Sequence, residues 1–167
     1  MAVRMKNIVL IGMPGVGKST VGVVLAKNLG FGFLDSDLLI QEKHKKLLHE
    51  LIEEQGIEGF WQIENEVNAS IWTDNTVIAT GGSVIYGKDA MEHLKQIGTI
   101  VYLELSCEEL SVRLGDLKER GVTLKQGQDL EGLYQERMPL YEKYADLTID
   151  CEGKMIRDIV QEIKKRV

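Results

Sequence analysis

The stretch best suited to chemistry is Gly12-Met13-Pro14-Gly15-Val16-Gly17-Lys18-Ser19, which satisfies G-x-x-x-x-G-K-[ST] without a mismatch. Glycines let the backbone turn tightly so that successive N–H groups point inward at an anion, and a helix starting there adds partial positive charge. In such a loop Lys18 reaches the β- and γ-phosphates of a nucleoside triphosphate and the Ser19 hydroxyl holds Mg²⁺. Residues 12–19, with Thr20 beside them, are therefore expected to bind ATP. The bland alternative is an ordinary Gly-rich turn. With Gly at about 7% of residues, chance would supply the four fixed positions in about one chain in a hundred or fewer. The flanks also oppose it: Asn7-Ile8-Val9-Leu10-Ile11 reads as a buried parallel strand, and residues 20–29 have the apolar spacing of a helix.

Two aspartates and three arginines come next. Asp35 and Asp37 follow the apolar run 31–34. A carboxylate at the end of a neighbouring strand can hold Mg²⁺ through water or take the proton of an acceptor hydroxyl, both of which phosphoryl transfer uses. Alternatively, Ser36 or Asp37 merely caps a helix beginning at Leu38. Residues 115–128 are polar, charged and glycine-punctuated, without a period. Read as a lid, they would close over the nucleotide and exclude water. Arg113 lies at the base of this segment, Arg120 within it and Arg137 beyond it, and arginines so delivered would neutralise charge on the transferred group. The alternative is a loose, solvated loop.

These residues need elements to hold them. Strands are expected at 7–11, 31–34, 76–80, 99–105 and 147–150. A helix runs from Leu38 through Leu51-Ile52 to a break at Gln55-Gly56, and another covers 57–72, where Phe60, Ile63, Val67 and Ile71 recur at helical spacing. Further helices are expected at 88–96, from 107 with Ser106 as cap, at 129–144 and at 155–167. Strands alternating with helices imply an α/β fold of three layers, a parallel sheet between helices. Ligands in such sheets sit beyond the carboxyl ends of the strands, so the phosphate loop, Asp35 with Asp37, and Gly81-Gly82 should converge.

At 167 residues the chain suits one domain, 1–167. A net charge of −6 with interspersed signs gives no basic footprint for nucleic acid, and Lys164-Lys165-Arg166 fit a helix C-terminus better. No stretch approaches a membrane span, and residues 1–6 carry no pattern, with Met5 an alternative start. Cys107 and Cys151 are far apart and form no metal or redox motif, which fits a reducing cytoplasm. A small-molecule partner and a monomer are expected. His44, His49 and His93 read as surface residues, Trp72 as core or helix-packing.

The chain resembles the shikimate kinases, within the nucleoside-monophosphate-kinase-like group, from about residue 6 to its end. The resemblance rests on residues 12–22, on Leu34-Asp35-Ser36-Asp37, on Gly81-Gly82-Ser83, on the spacing of Arg113 and Arg120, and on Arg137-Met138-Pro139-Leu140-Tyr141. It implies a five-stranded parallel sheet of order 2-3-1-4-5, with ATP and Mg²⁺ converting shikimate to shikimate 3-phosphate, a step of aromatic amino acid biosynthesis. It further implies that Asp35 assists Mg²⁺, that Asp37 binds the acceptor hydroxyls and acts as base, that Arg113 lies at the adenine, and that Arg137 contacts the substrate carboxylate. By the same likeness Glu64 orients Arg137 or another pocket group; a surface glutamate is the alternative. Two departures stand out. The family's F-R-x-x-E reads Phe60-Trp61-Gln62-Ile63-Glu64, and its lid R-P-L-L reads Arg120-Gly121-Val122-Thr123-Leu124. An indole offers one N–H where a guanidinium grips a carboxylate with a fork, a loss of about 2–5 kcal/mol. Arg137 could hold the carboxylate alone, or with Lys88 as substitute. Two other readings therefore stay open: a kinase for a different small polyol or hydroxy acid packed against Trp61, and a nucleotide-binding protein without catalysis. A nucleoside-monophosphate kinase is disfavoured, because residues 41–62 contain lysines but no arginine.

Overall fold

The computed structural model describes residues 6–114 and 122–167. Five short strands, β1 (Asn7–Ile11), β2 (Gly32–Asp35), β3 (Thr76–Ala79), β4 (Gly98–Glu104) and β5 (Leu147–Asp150), pair in parallel in the order β2-β3-β1-β4-β5. Both β1 and β3 are buried along their whole length, as strands covered on two faces must be, which is why they read as unbroken apolar runs. The helices are α1 (Lys18–Leu29), α2 (Ser36–His44), α3 (Leu48–Ala69), α4 (Lys88–Ile97), α5 (Cys107–Arg113), α6 (Leu130–Tyr144) and α7 (Ile156–Arg166), with a single 3-10 turn at Val84–Tyr86. The main core joins Val9 and Leu10 of β1 and Ile100 of β4 to Leu25, Leu94, Leu133 and Ile163 from four helices. A smaller cluster of Ile40, Leu51, Phe60 and Val67 ties α2 to α3.

The sheet order and the alternation are those the sequence implies, whereas several boundaries differ. The helix expected from Leu38 starts at Ser36 because Asp35 caps it: the Asp35 carboxylate accepts from the Asp37 amide at 2.9 Å and the Leu38 amide at 3.4 Å. Neither Ser36 nor Asp37 is the cap. Nor does that helix reach Ile52. It stops at His44, where Lys45 turns left-handed (φ 55°), and α3 begins at Leu48. The apolar period runs on across the gap because both helices bury onto the same small cluster. The expected break at Gly56 is a kink inside α3, with φ 74° and ψ 172°. Trp72, expected to be packed, is 75% exposed after α3. Ser106 does cap α5, accepting from the Glu109 amide.

Candidate active site

After β1 the chain turns through residues 12–17 into α1. Gly15 (φ 85°) and Gly17 (φ 102°) take backbone angles that side chains avoid, and Gly17 is itself the residue preceding the first turn of α1. The loop borders a cleft of about 330 Å³, with Pro14, Gly15, Gly17, Lys18, Ser19 and Thr20 on one side and Asp37, Gly81 and Gly82 on the other. Met13 and Val16 bury their side chains in the core, so only their main chain is offered to a ligand. A Cβ on Gly12 would meet the Leu103 carbonyl oxygen of β4 at 2.7 Å, which keeps this position glycine. Lys18 is buried and folds over the loop, donating from Nζ to the carbonyls of Gly12 at 2.7 Å and Met13 at 2.9 Å. Burial pushes its ammonium down to about 8, against the pull of Asp37. Ser19 Oγ donates to Asp35 Oδ2 at 2.7 Å. Arg113 closes α5 and reaches the same loop, donating from Nη1 to the Val16 carbonyl at 3.3 Å.

The end of β3 is tied to β1 beside this loop: Thr80 donates from both its amide and its hydroxyl to the Leu10 carbonyl. Gly81 follows, pressed between two carboxylates. A Cβ there would lie 2.6 Å from Asp37 Oδ1 and 2.6 Å from Glu64 Oε2, so those oxygens stand within about twice that distance of each other. Glu64 is 2% exposed on α3 and accepts from Ser83 Oγ at 2.5 Å. Burial pushes Glu64 up to about 8; the Ser83 bond opposes this and Asp37 adds to it. Asp37 is pushed up to about 6, by burial first and by Asp35 second, while Lys18 pulls it back. Burial thus favours the protonated form of Glu64 more strongly than that of Asp37. The surface alternative for Glu64 is thus excluded. The signal for its burial was present, since it falls four residues after Phe60 and three before Val67, on the apolar stripe of α3.

Beyond Asp37 lies a smaller cavity of about 40 Å³, bordered also by Glu64, Gly82, Ser83, Val122, Thr123 and Arg137. Arg137 sits on the buried face of α6 with Leu133 and Tyr141. Its Nη2 donates to the Thr123 carbonyl at 3.2 Å and to Thr123 Oγ1 at 2.7 Å, and its guanidinium lies over the Tyr86 ring at 5.5 Å. Tyr141 donates to the Gly82 carbonyl at 2.6 Å, which fixes the loop against α6. Trp61 does not line this cavity. Its ring stacks on Tyr86 (centroids 4.1 Å apart, planes 20°) and its Nε1 donates to Thr123 Oγ1 at 3.1 Å. Lys88 is exposed at the start of α4 and is likewise absent from the lining. Residues 115–121, including Arg120, lie outside the described residues. In the rest of the expected lid Val122 and Thr123 are buried, whereas residues 125–127 are exposed. Thr123 and Tyr86 carry no signal in sequence, because their partners are brought together only by the fold.

Among the described residues no group of three or more His, Cys, Asp or Glu could hold a metal ion, and no helix is long and apolar enough to cross a membrane. Mg²⁺ commonly takes one or two protein oxygens and fills its shell with water and phosphate, and the adjoining Ser19 hydroxyl and Asp35 carboxylate fit that habit.

A parallel sheet of order 2-3-1-4-5, with a glycine-rich phosphate loop after β1 and a carboxylate facing it from the first turn of α2, defines a P-loop kinase fold. Solved structures agree: the chain superposes on a shikimate kinase from Acinetobacter baumannii in complex with shikimate with a TM-score of 0.82, at 33% identity over 97% of this chain and 92% of that one. It superposes on the shikimate kinase of Aquifex aeolicus with a TM-score of 0.81 at 31% identity, over 95% of this chain and 94% of that one. A gluconokinase from Sinorhizobium meliloti, 19% identical with a TM-score of 0.57, shares the fold. In sequence, the chain is 43% identical over 164 residues to a shikimate kinase of Clostridium botulinum (strain Eklund 17B / Type B), covering 96% of this chain and 97% of the relative. The family model described as shikimate kinase matches residues 14–167. The chain belongs to the shikimate kinase family.

Proposed function

We propose that the protein transfers the γ-phosphoryl group of ATP to a hydroxyl of shikimate, giving ADP and shikimate 3-phosphate. One observation carries this reading. Asp37 is the ionisable residue, among those described, that borders both the phosphate-side cleft and the acceptor-side cavity. In the reaction the acceptor oxygen bonds to the γ-phosphorus as the bond to the bridging β,γ oxygen breaks, and the hydroxyl proton passes to Asp37. A carboxylate with a pKa raised to about 6 suits that task near neutral pH. Gly12 to Thr20 cradle the phosphates, and Lys18 exchanges its two carbonyl partners for phosphate oxygens. Arg113 borders the nucleotide, and Arg120 adds charge to the transferred group. Ser19 and Asp35 would hold Mg²⁺, which when bound neutralises charge on the β- and γ-phosphates. Glu64, protonated, keeps Gly81 and Ser83 in place without adding a second charge beside Asp37. Gly82 leaves room for Arg137, and Arg137 faces the acid end of the acceptor.

A different small hydroxy acid is the second reading, favoured by Trp61 where the family has an arginine. Shikimate-dependent ADP release in the presence of Mg·ATP supports the first reading. No turnover at millimolar shikimate, with turnover of another hydroxy acid, supports the second.

A further inference from the structure

The sheet has a second opening, at the end away from the phosphate loop. A groove of about 500 Å³ lies where strands begin and helices end, bordered by Lys6 and Ile8 at the start of β1, Thr99 early in β4, Leu29 closing α1 and Lys164 in the last turn of α7. All five strands are parallel, so this groove and the cleft at their carboxyl ends occupy opposite edges of the sheet. Its volume lies in the range of small-molecule sites and exceeds that of the phosphate-side cleft.

The wall is apolar and the rim cationic. Ile8, Leu29, Phe31 and Val167 supply the wall, and Lys6 and Lys164 are the charged residues that border it among those described. Neither lysine side chain makes a hydrogen bond or an ion pair among the described residues. Carboxylates at this end of the sheet are engaged elsewhere: Asp74 accepts from the Lys6 and Asn75 amides, Asp146 accepts from the Ile100 amide and pairs with Lys95, and Glu162 of α7 pairs with Lys154. Two unanswered ammonium groups beside an apolar wall suit a ligand with an apolar body and an acid group. Its charge has to be small. Both α1 and α7 end at the groove, where their last carbonyls carry about half a negative charge each, and no arginine or helix N-terminus borders it among the described residues. A phosphate ester would lack its usual donors there, whereas for a single carboxylate the two ammonium groups outweigh the helix ends.

We propose that this groove is a second small-molecule site, which takes a monocarboxylate with an apolar ring or branched chain: the body packs against Leu29 and Phe31, and Lys6 and Lys164 answer the acid. The site is independent of the kinase reading and of the cleft that serves it.

The probe is 3-phenylpropanoate, titrated into the full chain by calorimetry, with 3-phenylpropanamide as its uncharged counterpart. One saturable site is expected, with the same affinity when Mg·ADP fills the opposite cleft. The amide should bind about two- to thirtyfold more weakly, the worth of two solvent-exposed ion pairs. In Lys6→Gln/Lys164→Gln the acid and the amide should bind alike. Thr99→Phe, which puts a ring into the groove from β4, should lose both probes while Mg·ADP still binds and so reports a folded protein. No saturable binding at millimolar probe, displacement of the acid by Mg·ADP, or equal affinities for acid and amide in the wild-type chain would each overturn the proposal. So would acid binding that is undiminished in the double lysine variant or in folded Thr99→Phe. Binding that emerges only once residues 1–4 are removed would overturn it as well, because the chain's own first residues would then be the occupant.

Discussion

Gly81 is squeezed between the two carboxylates of the cleft, and adding one methyl group there tests whether their placement matters. In Gly81→Ala the new Cβ would sit 2.6 Å from Asp37 Oδ1 and 2.6 Å from Glu64 Oε2, against an ordinary contact of 3.4 Å or more. The backbone at 81 is not left-handed, so alanine brings no φ strain. Relief must come from the carboxylates. Both contacts are equally short, so both side chains must give, Asp37 among them, by about 0.8 Å to reach an ordinary 3.4 Å contact. Misplacing a reacting group by about 1 Å costs about a hundredfold, so kcat should fall roughly 30- to 100-fold. Folding should suffer much less, by about 1–3 kcal/mol as for an overpacked site. Steady-state ADP release at saturating substrates reads the first quantity and urea unfolding the second. A Gly81→Ala enzyme that keeps at least half of the wild-type kcat would refute the placement of Asp37 as the group that receives the acceptor's proton.

Two further outcomes follow from the ionisations in the cleft. With Asp37 raised to about 6 and Lys18 lowered to about 8, kcat/KM should fall below about pH 6, as Asp37 takes up a proton, and above about pH 8, as Lys18 loses one; a flat profile between pH 5 and 6 would count against Asp37. Glu64 has a folded pKa of about 8 against an ordinary 4.5, so the folded protein keeps a proton that the unfolded chain gives up. Its contribution to stability is full below about pH 4.5 and is lost as pH rises through about 8, whereas Glu64→Gln retains a partner for Ser83 and loses that dependence. Urea midpoints of the two proteins should therefore converge with rising pH if wild type is the more stable in acid; parallel midpoints across that range would contradict the buried neutral state of Glu64.

The order of elements and the phosphate loop could be read from the chain because strand and helix periods and the glycine-lysine-serine spacing are local properties. What escaped was set by distant contacts. The apolar period from Leu38 to Ile52 gives no hint that Lys45 turns left-handed, since α2 and α3 bury onto one cluster with the same spacing on both sides of the turn. Trp72 has the composition of a core residue and nonetheless faces solvent, because α3 ends at Ala69 and the indole lies 75% exposed in the loop that follows. Val122 and Thr123 lie in a segment whose polarity reads as solvated, and the bonds of Thr123 to Arg137, fourteen residues on, and to Trp61 show why it is buried. Trp61 was legible as a departure from the arginine of its family. Its bond to Thr123, sixty-two residues away, was not.

The claim that most depends on the geometry is that Asp37 joins the phosphate cradle to the acceptor. A rapid-quench single turnover with Mg·ATP and shikimate, comparing the wild-type protein with Asp37→Asn, tests it directly. Asn cannot accept the proton, so the phosphoryl-transfer rate should fall by about 10²–10⁴-fold while ATP is still bound. Equal rates in the two proteins would contradict it.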